Sequence, residues 1–146
     1  MIRNMRTIGC SAALLALLAL HAPADAAQVN VPASTFHRQM GGPDVIMYSG
    51  NLSTNFSAST ITMIAPIPRV PGFGAVTVFV DGYGVTGTYN CTVSSSVVSK
   101  SFARSSLVTW SQSVNFSAAE MPSSSYLTVT CTVPSDGAFK GITVTG

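Results

Sequence analysis

Tyr126-Leu127-Thr128-Val129-Thr130-Cys131-Thr132-Val133-Pro134-Ser135-Asp136-Gly137-Ala138-Phe139-Lys140-Gly141-Ile142-Thr143-Val144-Thr145 decides the fold class. Leu127, Val129, Cys131 and Val133 alternate with Tyr126, Thr128, Thr130 and Thr132, and Ile142 and Val144 alternate with Thr143 and Thr145. Side chains of a strand point alternately to its two faces, so each run is a strand with one apolar and one hydroxyl-bearing face. Between them stands Asp136-Gly137, the favoured pair for a two-residue type I′ hairpin turn. A hairpin centred there places Cys131 opposite Ile142 and Val129 opposite Val144, with Thr130 opposite Thr143 and Thr128 opposite Thr145 on the other face. A slip of one residue would mix the faces. The threonines would then form a small grid. A regular threonine grid can order water, which raises an ice-binding reading; two short rows are little area, and an ordinary solvated sheet face accounts for them.

The same alternation recurs upstream. Val76, Val78 and Val80 alternate with Thr77 and Phe79, and Val85 to Val93 alternates apolar residues with Thr86, Thr88, Asn90 and Thr92. Weaker strand candidates are 29–31, 45–49, 60–64, 97–102 and 107–116. Turn chemistry separates them at Gly41-Gly42-Pro43, Ser49-Gly50-Asn51, Pro71-Gly72, Asp81-Gly82 and Pro122-Ser123. Pro66, Pro68 and Pro71 mark residues 65–72 as an edge or a connection rather than a central strand. About eight short strands at this spacing predict an all-β domain, a single antiparallel β-sandwich of immunoglobulin-like or jelly-roll type.

The first residues read differently. Arg3 and Arg6 precede the apolar run Ala12–Leu20, and Ala24-Asp25-Ala26 offers small residues at both positions of a cleavage site. These are the three parts of a secretory signal, so residues 1–26 are expected to be removed and residues 27–146 to form the domain of a secreted protein, periplasmic or extracellular. Cleavage after Ala22-Pro23-Ala24 is a second option. The run is about half the length of a membrane-spanning helix. Cys10 precedes it, which argues against lipidation there.

Beyond Ala26, Arg38, Arg69, Lys100, Arg104 and Lys140 face Asp44, Asp81, Glu120 and Asp136, a net charge of +1. No basic patch exists to neutralise phosphates, which argues against nucleic acid as a partner, and no polybasic stretch to hold an anionic membrane. Serine and threonine, roughly a quarter of these residues, supply the polarity instead. Cys91 and Cys131 remain, an even count in an exported chain, and predict one intramolecular disulfide. Closing a loop of 40 residues stabilises by roughly 4 kcal/mol in the chain-entropy picture. Both cysteines lie on the apolar phase of their strands, so the bridge is expected between the sheets or between neighbouring strands facing the core. Trp110 is a candidate to pack on it.

Catalytic signals are thin. Gly82-Tyr83-Gly84-Val85-Thr86-Gly87 matches the dinucleotide pattern, but that mechanism needs a helix to begin there. Thr88–Val93 is strand-like, so the segment reads as a glycine-rich hairpin turn. A hydrolase would have to use His37 as its base, oriented by Asp44 or Asp81, and no nucleophile elbow accompanies it. Paired-carboxylate chemistry would have to draw on Asp44, Asp81, Glu120 and Asp136, two of which sit in predicted turns, where Asp is expected for structural reasons. His37 with Met40 and Met47 would make a weak copper(I) set, and methionine more often fills cores. No catalytic residue, metal or cofactor is therefore assigned. Asn51, Asn55, Asn90 and Asn115 each begin an N-x-S/T sequon, glycan acceptors only along a eukaryotic route.

The leading expectation is a non-catalytic binding or surface-interaction module, its partner a glycan or a protein surface. Tyr48, Phe73 and Tyr83, in or near turns, could stack on sugar rings, with Phe73 the one better suited to capping the core. The alternative is a structural subunit assembling through sheet edges. A small hydrolase using His37 ranks behind both.

Overall fold

The computed structural model describes residues 27–39, 46–49, 51–68, 74–84, 87–105, 107–122 and 125–146, with backbone alone at 47–49. The expected signal segment, Asp44 and Phe73 lie outside the described residues.

Eleven strands are present among them: β1 (Gln28–Pro32), β2 (His37–Arg38), β3 (Ile46–Ser49), β4 (Leu52–Asn55), β5 (Ile61–Ile67), β6 (Val76–Tyr83), β7 (Thr88–Ser94), β8 (Ser99–Ser105), β9 (Trp110–Phe116), β10 (Leu127–Val133) and β11 (Ala138–Thr145). They form two antiparallel sheets. One runs β3-β4-β11-β6-β9, with β1 also beside β11; the other runs β2-β5-β10-β7-β8. The sandwich is therefore as expected, with more strands. β2 and β4 were too short and too polar to stand out from turns.

Alternation builds the core. Val76, Val78, Val80, Ile142 and Val144 face inward from the first sheet, and Ile61, Met63, Cys91, Val93, Val129, Cys131 and Val133 from the second. Burying each larger side chain stabilises by about 1.5–3 kcal/mol. Phe36 stacks on Phe139 with ring centroids 4.2 Å apart, and Trp110 sits edge-on to Tyr89, Phe102 and Phe139. Trp110 lies across Gly82, where a Cβ would come within 2.2 Å of the indole. Glycine is thus required there by a neighbour's volume.

Topology selects between the two sandwich types. β3–β4 and β7–β8 are hairpins within a sheet. From β4 to β5, β5 to β6, β6 to β7, β8 to β9, β9 to β10 and β10 to β11, the chain crosses between sheets. This is jelly-roll wiring.

The crossings overturn the C-terminal hairpin. β10 lies between β5 and β7, and β11 in the opposite sheet, so Thr130 stands opposite Ile64 and Thr92 while Thr143 stands opposite Asn30 and Phe79. The physical reason is in the turn. Asp136 has φ 59° but Gly137 does not take a positive φ, so a type I′ pair does not form. Instead Gly137 N–H donates to Pro134 O at 3.0 Å, closing a turn whose backbone bonds Asn55. The glycine-rich 82–87 segment likewise joins the two sheets rather than forming a hairpin; residues 85 and 86 lie outside the described set.

β5 also runs further than the prolines suggested, through Pro66 to Ile67. Its outer neighbour β2 pairs only with Met63 and Ile64. Pro66 therefore sits on the open edge of β5, where a missing N–H breaks no ladder bond.

Candidate functional site

The outer face of the five-stranded sheet is built by the hydroxyl phase of four long strands. Thr128 lies between Pro66 and Ser94, with Ser99 beyond. Thr130 lies between Ile64 and Thr92, with Ser101 beyond. Thr132 lies between Thr62 and Asn90, with Ala103 beyond. Rows repeat about every 6.7 Å along the strands and about every 4.8 Å across them. The β7–β8 hydroxyls are already paired: Thr88 with Ser105 at 2.6 Å, Thr92 with Ser101 at 2.8 Å and Ser94 with Ser99 at 2.8 Å. Such pairs hold fixed directions and keep lone pairs and one proton for a ligand. A shallow hollow crosses the strands between Thr62 and Ala103, floored by Thr130, Thr132, Asn90 and Thr92.

Tyr126 completes this face. Leu127 points inward, so Tyr126 shares the outward phase of Thr128 and is 61% exposed. Six residues separate it from Thr132, about 20 Å of extended chain.

Charge is kept off the face. Lys100 and Arg104 sit on the other phase of β8 and reach across to β9. The Lys100 ammonium donates to Asn115 O at 2.7 Å and Glu120 at 2.8 Å, 5.0 Å above the Phe116 ring, while Arg104 donates to Gln112. Among the described residues the face carries no carboxylate, ammonium or guanidinium. His37 stands at its β2 margin, opposite Ile64.

The disulfide joins Cys91 and Cys131, which are directly opposed on β7 and β10 with Cα atoms 4.0 Å apart. Of the two expected placements it takes the one between neighbouring strands facing the core, and it pins the two central strands of this face. Trp110 is on the opposite sheet; the rings it meets are those of Tyr89, Phe102 and Phe139.

The remaining sequence candidates are dispersed. His37 is exposed, its Nδ1 3.1 Å from Thr35 O, in a different sheet from Asp81. Glu120 is held by Lys100 and Ser117. No group of three His, Cys, Asp or Glu side chains able to hold a metal exists among the described residues, and no described helix is long and apolar enough to cross a membrane. Tyr83 is 47% exposed, but at the end of β6 beside Val108, away from the hydroxyl face. The side chain of Tyr48 lies outside the described set. Of the sequons, Asn51, Asn90 and Asn115 are exposed, whereas Asn55 is fully buried with its amide nitrogen donating to Ser59, Val133 and Pro134 carbonyls.

Two features escaped the sequence reading. Tyr126 counted as one alternating residue among many; its even spacing from Thr128, Thr130 and Thr132 was the signal for a shared face. The hydroxyl lattice was invisible because it depends on which strands are neighbours.

The sequence matches no family model and no curated relative. Its fold has solved counterparts. The C-terminal CBM6 of a marine laminarinase from Zobellia galactanivorans superimposes with a TM-score of 0.53 at 12% identity, over 82% of this chain and 100% of that one. A xylan-binding module, CBM15, gives 0.53 at 11% identity over 82% and 96%. An exo-β-1,3-galactanase from Phanerochaete chrysosporium gives 0.54 at 18% identity, over 82% of this chain and 29% of the enzyme. At such identities the likeness is one of fold: the chain shares the β-sandwich of carbohydrate-binding modules.

Proposed function

We propose that the chain is an exported, non-catalytic module that binds glycan on the outer face of its five-stranded sheet. The observation that carries this is the charge-free hydroxyl lattice with one exposed tyrosine at its end. A sugar presents hydroxyls around its rim and C–H groups on its faces. Threonine, serine and asparagine both donate and accept, matching the first, and an exposed tyrosine ring suits the second. The fold shared with a xylan-binding module supports the same class of ligand.

Twist argues which kind of surface is met. Neighbouring strands rotate by about 20–25°. Four strands therefore depart far from a plane, which disfavours ice or a flat crystal face, whereas a single chain can follow the curve. Each neutral hydrogen bond exchanged with water contributes only about 0.5–1.5 kcal/mol. Millimolar to micromolar affinity, about 4–8 kcal/mol, is the expected range.

Affinity electrophoresis in soluble xylan, laminarin and galactan tests the reading. One of these should retard the protein, and Tyr126→Ala should abolish much of the retardation without changing the melting temperature. Equal mobility in all three gels refutes glycan binding. Export is tested by the N-terminus of the secreted species, expected at Ala27.

A second reading draws on β8. It is an edge strand of seven residues without proline, and β7 is its only described neighbour. An open edge of that length can template another chain. Light scattering separates the two, since edge assembly requires particles larger than one chain.

A further inference from the structure

The opposite outer face, on the six-stranded sheet, carries a different arrangement. Its centre is Phe79, half-buried on β6 between Thr77 and Asp81. Thr143 stands opposite on one side and Ser113 on the other. An aromatic ring on the outward phase, walled by hydroxyls, does nothing for the core between the sheets. The surrounding groups are ordered: Asn30 Oδ1 accepts from Thr143 Oγ1 at 3.1 Å and from Gln28 Nε2 at 2.9 Å.

Shallow hollows lie one row along β6 from Phe79 in each direction, neither of them lined by the ring itself. One, towards Asp81, is lined by Asn30, Asp81, Lys140 and Thr143 around Gly141; the other, towards Thr77, by Thr77, Asn115 and Thr145. Gly141 makes the first hollow possible. Its φ is +150°, and a Cβ there would lie 2.8 Å from Val31 O, so no side chain fills the space between Pro32 and Asp81.

We propose that this face is a second glycan site, in which Phe79 is the stacking platform and the two flanking hollows seat the neighbouring sugar units. Asp81 and Lys140 would bond hydroxyls in one hollow, Thr77 and Asn115 in the other. A single ring embedded in donors and acceptors matches a sugar better than it matches a protein hot spot, which is apolar at its centre. The two faces belong to sheets packed about 10 Å apart and point in opposite directions. One short sugar cannot touch both, so a chain with both sites bridges two polysaccharide strands. This goes beyond the site proposed above and stands on different residues.

Stoichiometry tests it. Equilibrium dialysis would use hexasaccharides of the xylan, laminarin and galactan series, reading the tightest binder. Wild type should take two per chain and Phe79→Ala one; Asp81→Ala should weaken that same site, with melting temperatures confirming the fold. Bridging adds avidity on polymers. Phe79→Ala should therefore weaken retention by the soluble polysaccharide about tenfold or more. Loss of one equivalent in Phe79→Ala with none in Tyr126→Ala would uphold this site and refute the other. One equivalent in wild type, unchanged in Phe79→Ala, or binding of no hexasaccharide at all, overturns the proposal.

Discussion

The backbone of Asn55 is bonded reciprocally to the turn that carries Gly137. Asn55 N–H donates to Gly137 O at 2.8 Å, and Asp136 N–H donates back to Asn55 O at 2.8 Å. The side chain adds a second set. Its buried amide nitrogen faces the carbonyls of Ser59, Val133 and Pro134, three acceptors sharing two hydrogens, while its oxygen accepts from Ser57 N–H and Oγ. Asn55 thereby ties the β4–β5 connection to the β10–β11 connection, fixing two sheet crossings at once.

Asn55→Ala leaves buried carbonyls without donors, each costing about 1–3 kcal/mol. A total loss of about 2–4 kcal/mol is expected, read from urea midpoints. A loss below about 0.5 kcal/mol would show the carbonyls to be solvated. The same geometry makes Asn55 the poorest of the four sequons: its attachment nitrogen is spent inside the fold.

The disulfide gives a second stability test. Cys91 and Cys131 close a separation of 40 residues between central strands. Cys91→Ala with Cys131→Ala should lower stability by about 2–4 kcal/mol. Under the proposed function, the double variant should bind glycan as the wild type does once folded, because both sulfurs face the core rather than the hydroxyl lattice. Two alkylatable thiols in the native protein would refute the bridge.

How far the sequence could be read follows from these contacts. Alternation in residues 127–133 and 142–145 revealed which side chains face inward, and every such assignment at Val129, Cys131, Val133, Ile142 and Val144 matches the buried set. Strand neighbours were not legible. Two strands with one apolar face each pack equally well side by side or face to face, and Asp136-Gly137 suggested the first. The deciding partner, Asn55, is 81 residues from Asp136 and lies in a stretch, between the candidates at 45–49 and 60–64, that the sequence assigned to no strand. Candidate sites suffered the same way. Cys91 and Cys131 could be paired by elimination, but Thr92, Thr130 and Ser101 become one surface only once β10, β7 and β8 are known to be adjacent. Tyr83 was singled out for lying near a turn, whereas Tyr126 matters because of the strand it directly precedes.

Tyr89 provides a hydroxyl whose removal can be read by pH. It donates to Tyr83 O at 2.6 Å and accepts from Ala138 N–H at 2.9 Å. Burial pushes its pKa up to about 12, against the smaller opposing effect of the Ala138 hydrogen bond. A raised folded-state pKa means that this contribution is complete below the unfolded value of about 10 and is lost as pH rises towards 12. Tyr89→Phe should cost about 1–3 kcal/mol at neutral pH, since a buried N–H and a carbonyl lose their partner. The gap between wild type and Tyr89→Phe should close between about pH 10 and 12, measured by urea unfolding. A constant gap would mean that the phenolate is tolerated in place.

Glu120 reports on the lateral edge of the sandwich, where β8 of one sheet meets β9 of the other. Its carboxylate accepts from Lys100 at 2.8 Å and from Ser117 N–H at 2.8 Å. The Lys100 hydrogen bond foremost, and then the Ser117 amide, hold its pKa at about 2 rather than the usual 4.5. Below about pH 4.5 the unfolded chain takes up a proton that the folded chain refuses until about pH 2. Stability from this group is therefore present above about pH 4.5 and lost as pH falls through about 2. Both Glu120 and Lys100 are solvent-accessible, and screening keeps the effect small. Urea midpoints of wild type and Glu120→Gln should differ most near neutral pH and converge towards pH 2, with the neutral-pH difference shrinking in added salt. A difference that persists at pH 2 would assign the role of Glu120 to packing. Lys100→Met should give the same convergence, because it removes the other half of the pair that closes β8 against β9.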